Sequence, residues 1–304
     1  SASDIYFYSS DTRTSGTSLT GARYWMAAVG NLTTGFFCGG SDSNPYIMTE
    51  KINYEDGTRA GGTSLGTARS DLAAVGNLTT GIFGGGFTTV VTAVTDKYTY
   101  STDTRAAGTS LSPARRSLAA AGTSIAGIFG GGFTTVVTAV TDKYTYSTDT
   151  RAAGTSLGTA RRWPAATGNS TAGIFGGGNT GSVSAVTDKY TYSGDSRTSG
   201  TALGTARDEL AAAGNSSIGI FGGGFTTTQT AVTDKYAYSG DSRTSGTSLG
   251  TARDSLSAVS TSPGHLREAP YFRSDFVAPG LALFSARSTA GVGTHSVILV
   301  LTLG

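Results

Sequence analysis

Trp25 and Trp163, the chain's two tryptophans, hold the same place in a repeating unit, three periods apart. In a ring of six such units they would face each other across the axis. An indole beside Tyr24 or Arg162 joins a broad apolar face to a polar edge, which suits stacking on a sugar or anchoring a protein partner. The competing reading is that each packs against the rim of the neighbouring unit. The positions around them differ between copies: Tyr24-Trp25-Met26, Ser70-Asp71-Leu72, Arg116-Ser117-Leu118, Arg162-Trp163-Pro164, Asp208-Glu209-Leu210 and Asp254-Ser255-Leu256. A second variable stretch reads Ser41 to Tyr46, then Phe87-Thr88-Thr89, Phe133-Thr134-Thr135, Asn179-Thr180-Gly181 and Phe225-Thr226-Thr227. From these two stretches the candidate ligand-binding residues are Tyr24, Trp25, Tyr46, Arg116, Arg162, Trp163, Asn179, Asp208 and Glu209. Phe87, Phe133 and Phe225 recur, and recurrence reads as packing.

Catalytic chemistry is poorly supplied. The two histidines, His265 and His295, both lie near the C-terminus, and the single cysteine, Cys38, stands where other copies have Gly84, Gly130, Gly176 and Gly222. No His/Cys metal spacing and no repeated acid–base pair emerges, so neither a metal nor another cofactor is expected. The Gly-Gly-Gly runs are not phosphate loops, since no Lys-Ser/Thr and no helix follows them. Enzymatic activity is not expected.

The repeat itself is marked by arginine. Arg23, Arg69, Arg115, Arg161, Arg207 and Arg253 follow one another at 46-residue intervals, each preceded by Ala. Periods of about 40 to 50 residues built of strand-like pieces indicate propeller blades. Each unit offers four short strand candidates separated by Gly, Asn, Asp, Ser and Thr, as in Leu72 to Val75, Gly81 to Gly84, Val94 to Tyr100 and a Thr/Ser segment ending at Leu111. Side-chain bulk rises from the Ala-rich first strand to the third, which carries Tyr98 and Tyr100, as a wedge widening from an axis requires. In an antiparallel blade the second strand ends beside the start of the first, so both variable stretches fall on one face of the disc. That is where loops carry recognition on a constant scaffold.

Six acids keep register with the arginines: Asp4, Glu50, Asp96, Asp142, Asp188 and Asp234. Pairing between the two sets at a blade junction is expected, because a buried guanidinium needs a carboxylate or several carbonyls. A second set, Arg13, Arg59, Arg105, Arg151, Arg197 and Arg243, is placed in the turn between the third and fourth strands, bracing it or solvated.

The order of Arg, apolar strand, Gly-Gly and Tyr-bearing strand resembles kelch-type β-propeller repeats over residues 1 to 260, although the tryptophan usual on the outer strand is absent. Cassettes of the Phe-Gly-Gly-Gly, Thr-Asp-Lys-Tyr and Gly-Thr-Ser-Leu-Gly-Thr-Ala-Arg kind also resemble the Gly-rich kelch-like proteins of bacteriophages and cyanobacteria. The resemblance implies an all-β propeller of four-stranded antiparallel blades. The phase of the termini predicts six blades, the last closed by N-terminal strands. Seven would result if residues 261–304 form a worn blade. In that blade Leu281 to Ser285 and Arg287 to Gly291 read as third and fourth strands; the alternative is an attachment segment with a terminal strand at Val297 to Leu301. The start at Ser1, inside a cassette, reads as a removed leader or part of a longer product.

Charge and hydropathy narrow the partners. A net charge of +2, with no basic run, gives no electrostatic reason for nucleic acid, and no apolar window is long enough to span a membrane. The expected function is a non-enzymatic recognition or adhesion module of the tail-fibre or receptor-binding type, outside a cell or on a virion. It would bind a cell-surface glycan or protein and belong to a larger assembly. The alternative is a structural virion decoration, fibre or appendage subunit docking other virion proteins through residues 261–304.

Overall fold

The computed structural model describes residues 3–21 and 23–260, and the backbone of the strands Ala282–Ser288 and Thr294–Ser296. The described residues form strands and turns, without an α-helix. Five stretches of chain each fold into a four-stranded antiparallel sheet; in the second these strands are Ala73–Gly76, Thr80–Gly84, Thr95–Thr99 and Thr104–Gly108. A sixth sheet joins the two ends of the chain. It runs Thr12–Gly16, Ser3–Phe7, Ala282–Ser288 and Asp254–Ser260, with Thr294–Ser296 added beside Ala282–Ser288. The N-terminus thus supplies the outer two strands, as the phase of the repeat requires. Residues 282–288 form one strand in the second position, however, rather than the expected third and fourth strands. The expected strand at Val297 to Leu301 lies outside the described residues.

The innermost strands are short and small: Ala27–Gly30, Ala73–Gly76, Ala119–Gly122, Ala165–Gly168 and Ala211–Gly214, then Asp254–Ser260. Each packs beside the next, and the last packs beside the first. The apolar core consists of seams between blades. Ala73, Val75 and Ile82 of the second blade meet Leu111, Leu118, Phe129, Tyr144 and Tyr146 belonging to the third blade or its incoming linker. Burying six such seams closes the ring.

Polar latches cross the same seams. The Tyr98 hydroxyl donates to Asp103 in its own blade and accepts the Thr63 N–H of the preceding linker at 3.0 Å. Thr63 Oγ1 also donates to the Asp103 carbonyl. Asp103 sits at φ 51°, in the left-handed region that Asp tolerates in turns. The pattern repeats through Tyr6, Tyr144, Tyr190 and Tyr236. The first blade departs from it with Ile52 and Gly57 in place of the Tyr and Asp, so both partners are absent together and neither is orphaned. There Arg59 Nη1 donates to the Ser18 carbonyl at 2.6 Å.

Candidate functional site

The six cassette arginines are almost wholly buried. Their carboxylate contacts are Arg23–Glu50 at 2.8 Å, Arg69–Asp96 at 2.7 Å, Arg115–Asp142 at 2.6 Å, Arg161–Asp188 at 2.7 Å and Arg207–Asp234 at 2.7 Å. Arg253 pairs with Asp4, 249 residues away, across the joined ends. Each pair ties an incoming linker to the third strand of the blade that linker enters. Burial pulls the guanidinium pKa values down, and the facing carboxylate opposes this. The second arginine set lies in the outer strands instead of in the turns, and binds the same acids: Arg105–Asp96 at 3.0 Å, Arg151–Asp142 at 2.7 Å, Arg197–Asp188 at 3.1 Å, Arg243–Asp234 at 2.9 Å and Arg59–Glu50 at 3.6 Å, with Arg13 on Asp4. An outer-strand residue two places after the turn faces back across the third strand, so it reaches the acid and not the turn.

These pairs hold the backbone of one face. The arginine's own carbonyl accepts an N–H from the preceding blade, as Arg115 does from Gly86 at 3.0 Å. Gly85 and Gly86 have φ of 69° and 111°, and a Cβ on either would meet a carbonyl oxygen at 2.5 or 2.6 Å. Glycine is therefore required where the second strand turns out to the face. At the preceding position a Cβ fits once: Cys38 is buried beside Thr49, and burial pushes its thiol up to about 12.

The two variable stretches meet at a backbone bridge in every complete blade: Tyr24 with Ser41, Ser70 with Phe87, Arg116 with Phe133, Arg162 with Asn179, and Asp208 with Phe225. In Arg116–Phe133 the two N–H···O bonds measure 3.0 and 2.8 Å. Side chains of unrelated chemistry are thus presented from one constant ladder. Asn179 Nδ2 donates to Asp208 Oδ2 at 2.7 Å, linking two blades. In the first blade the Tyr24 and Tyr46 hydroxyls converge on Asp42, donating to its carbonyl at 2.6 Å and to Oδ2 at 2.5 Å. The Tyr46 bond, followed by the Ser43 amide, lowers the Asp42 carboxyl to about 2. Tyr24 also meets Trp25 edge-on, with centroids 4.5 Å apart.

The residues immediately after the bridge form the mouth of the axis. Trp25, Asp71, Ser117, Trp163, Glu209 and Ser255 line one cavity of about 70 Å³, floored by Met26, Pro164 and four leucines. All six have φ between 52° and 57°. Left-handed backbone at non-glycine residues costs of order 1–3 kcal/mol each and persists where surroundings enforce it. Here they do so head to tail: Asp71 N–H to the Trp25 carbonyl at 2.9 Å, Ser117 to Asp71 at 2.8 Å, Trp163 to Ser117 at 2.7 Å. The order Trp, acid, Ser occurs twice around the ring. Trp163 Nε1 and Ser117 Oγ donate to Asp71 Oδ1 at 3.1 and 3.0 Å; Trp25 Nε1 donates to Glu209 Oε2 at 3.4 Å, as does Ser255 Oγ. Burial raises the Asp71 carboxyl. Burial, with the charges of Asp254 and Asp208 adding to it, pushes Glu209 up to about 7 against the Ser255 and Trp25 bonds.

Both tryptophans therefore reach the axial opening, but their indole edges are engaged by the two acids. Asp71, Ser117 and Ser255 join the ring without having been singled out from the sequence. The signal was present, since the position two residues after each arginine is never aliphatic and is followed by an apolar floor residue. Phe87 and Phe133, read as packing residues, carry the Arg116 and Arg162 guanidinium groups on their faces. On the opposite face a groove of about 450 Å³ between the first two blades is lined by Phe36, Lys51, Asn53 and Tyr100 among others.

Among solved structures, that of YjhT aligns with a TM-score of 0.69 at 9% identity, covering 80% of this chain and 89% of that one. The fold is a β-propeller. No protein-family profile and no curated protein matches the chain.

Proposed function

We propose that this chain is a non-enzymatic recognition module, displayed outside a cell or on a virion, whose loop-bearing propeller face binds a cell-surface glycan or protein. The observation that carries the reading is the mouth of the axis. Two indoles, two carboxylates and two hydroxyls surround one small opening on strained but hydrogen-bonded backbone, with the variable bridge residues around them. Strain of this kind gathers where a protein holds side chains ready for a ligand. The opening is too small to enclose a saccharide, so a ligand would lie across the face, its edge in the axial mouth.

The test is binding of the purified chain, beside a Trp25→Ala/Trp163→Ala variant, to a glycan panel and to whole bacterial cells. Circular dichroism and thermal melting check that the variant folds. Binding lost in a folded variant supports the reading. Binding retained undiminished removes the axial face from recognition, and no binding by the parent chain overturns the proposal.

A further inference from the structure

Twelve of the fourteen described arginines have a carboxylate within 3.6 Å. The other two, Arg116 and Arg162, occupy the same bridge position on adjacent blades. Arg116 comes no nearer to a carboxylate than 3.8 Å, at Asp71. Arg162 has no ion pair among the described residues, and the Nε of both is shielded from solvent without a hydrogen-bond partner.

Aromatic faces hold them instead. The Arg116 guanidinium carbon lies 4.8 Å from the Phe87 centroid and 5.5 Å from that of Phe133; Arg162 lies 5.7 Å from Phe133 and 4.2 Å from Trp163. The ladder Phe87, Arg116, Phe133, Arg162, Trp163 crosses three blades. A ring fixes a guanidinium through its face and leaves its fork of N–H donors unused, and that fork matches a planar or tetrahedral group with several oxygens. Two forks at neighbouring, equivalent backbone positions are thus held with little rotamer freedom left to lose, near the Asp71 and Asp208 carboxylates whose charge they favour.

We propose that Arg116 and Arg162 bind the sulfate ester or carboxylate of an acidic saccharide, with Trp163 and the axial mouth receiving the adjoining sugar. This rests on the recognition face proposed above and names its ligand class. A saccharide is favoured over an acidic peptide because the ladder ends in an indole that lines the axial opening. Two cations, moreover, match a spaced charge better than a dense run of them.

The experiment measures binding of the full chain to dextran sulfate oligosaccharides, oligogalacturonate, neutral dextran and poly-glutamate, by calorimetry at two salt concentrations. We expect binding to one or both acidic saccharides, weakened by salt, and none to neutral dextran. Arg116→Ala/Arg162→Ala should reduce affinity by about tenfold or more, and Arg116→Lys/Arg162→Lys, which keeps stem and charge but not the fork, by nearly as much. Lys143→Ala/Lys189→Ala, on the third strands of the same two blades, should leave it unchanged. Equal loss in the lysine control would reduce the effect to net charge and overturn the site, as would retained binding in the arginine variants. Equal or tighter binding of poly-glutamate would overturn the saccharide assignment. If neutral glycans of the panel bind through Trp25 and Trp163 while no acidic saccharide binds, the recognition face stands and this site falls. If cells bind but no glycan does, this site falls and the face is left to a protein ligand; if neither glycans nor cells bind, both fall.

Discussion

The indole of Trp163 donates to the carboxylate of Asp71, two blades away, over the shoulder of Ser117, whose hydroxyl binds the same oxygen. Trp25 repeats the relation with Glu209 over Ser255. The axial mouth is therefore built of two matching halves from a chain whose repeats are sixfold. Their acids differ in setting: Asp71 has Arg116 nearby, while Glu209 has Asp208 and Asp254.

Glu209 should make the fold less stable as pH rises toward neutrality. Its carboxyl sits near 7 in the folded chain and near the ordinary 4.3 unfolded, so the native state holds the extra proton between those values. Stability then falls with rising pH across that window and is flat above it. Glu209→Gln keeps an acceptor for Ser255 and Trp25, so its stability relative to the parent should climb between pH 4.5 and 7. Urea titrations at several pH values read this directly, and a constant difference would refute it.

Removing one member of a buried pair should cost far more than removing its outer companion. Arg115→Ala leaves Asp142 buried with less compensation, at about 3–5 kcal/mol, whereas Arg151→Ala, a partly exposed partner of the same acid, should cost about 1 kcal/mol or less. Chemical denaturation of the two variants gives the comparison.

The junction before the first blade should accept the missing latch. Ile52→Tyr with Gly57→Asp restores the pair seen at Tyr98 and Asp103, and Gly57, at φ 68°, already lies in the left-handed region where the aspartates sit at 45° to 54°. Each single change lacks the hydroxyl–carboxylate bond that the pair makes, so a double-mutant cycle should show a favourable coupling of about 1 kcal/mol.

A buried tyrosine hydroxyl lacks a partner where a neighbouring copy has one. Thr167 Oγ1 lies 2.9 Å from the Tyr238 hydroxyl, while Tyr192, packed near the equivalent Ala121, has none. Ala121→Thr should raise stability by about 1 kcal/mol if the added methyl is accommodated as it is at Thr167. The melting temperature checks it, and Ala121→Val separates hydrogen bonding from added bulk.

How much was legible follows from which interactions repeat. An arginine every 46 residues, an acid in register, and strands growing from Ala to Tyr determined the blades, their antiparallel order and the joining of both ends, because each requirement recurs in every wedge and any copy reports all of them. Gly-Gly marked the turn onto the variable face for the same reason: only a residue without a Cβ clears the facing carbonyls. What the repeat could not carry is where copies differ. That Trp163 reaches Asp71, that Arg162 rests on Phe133, that the outer arginines share the buried acids and that residues 282–288 enter the second position of the sixth sheet depend on side chains from different blades, or from opposite ends of the chain, meeting in space. Sequence distance says nothing of such contacts. Only closing the ring brings these groups within a few ångströms, and only that proximity turns a list of variable residues into a polarised mouth with two ring-held arginines beside it.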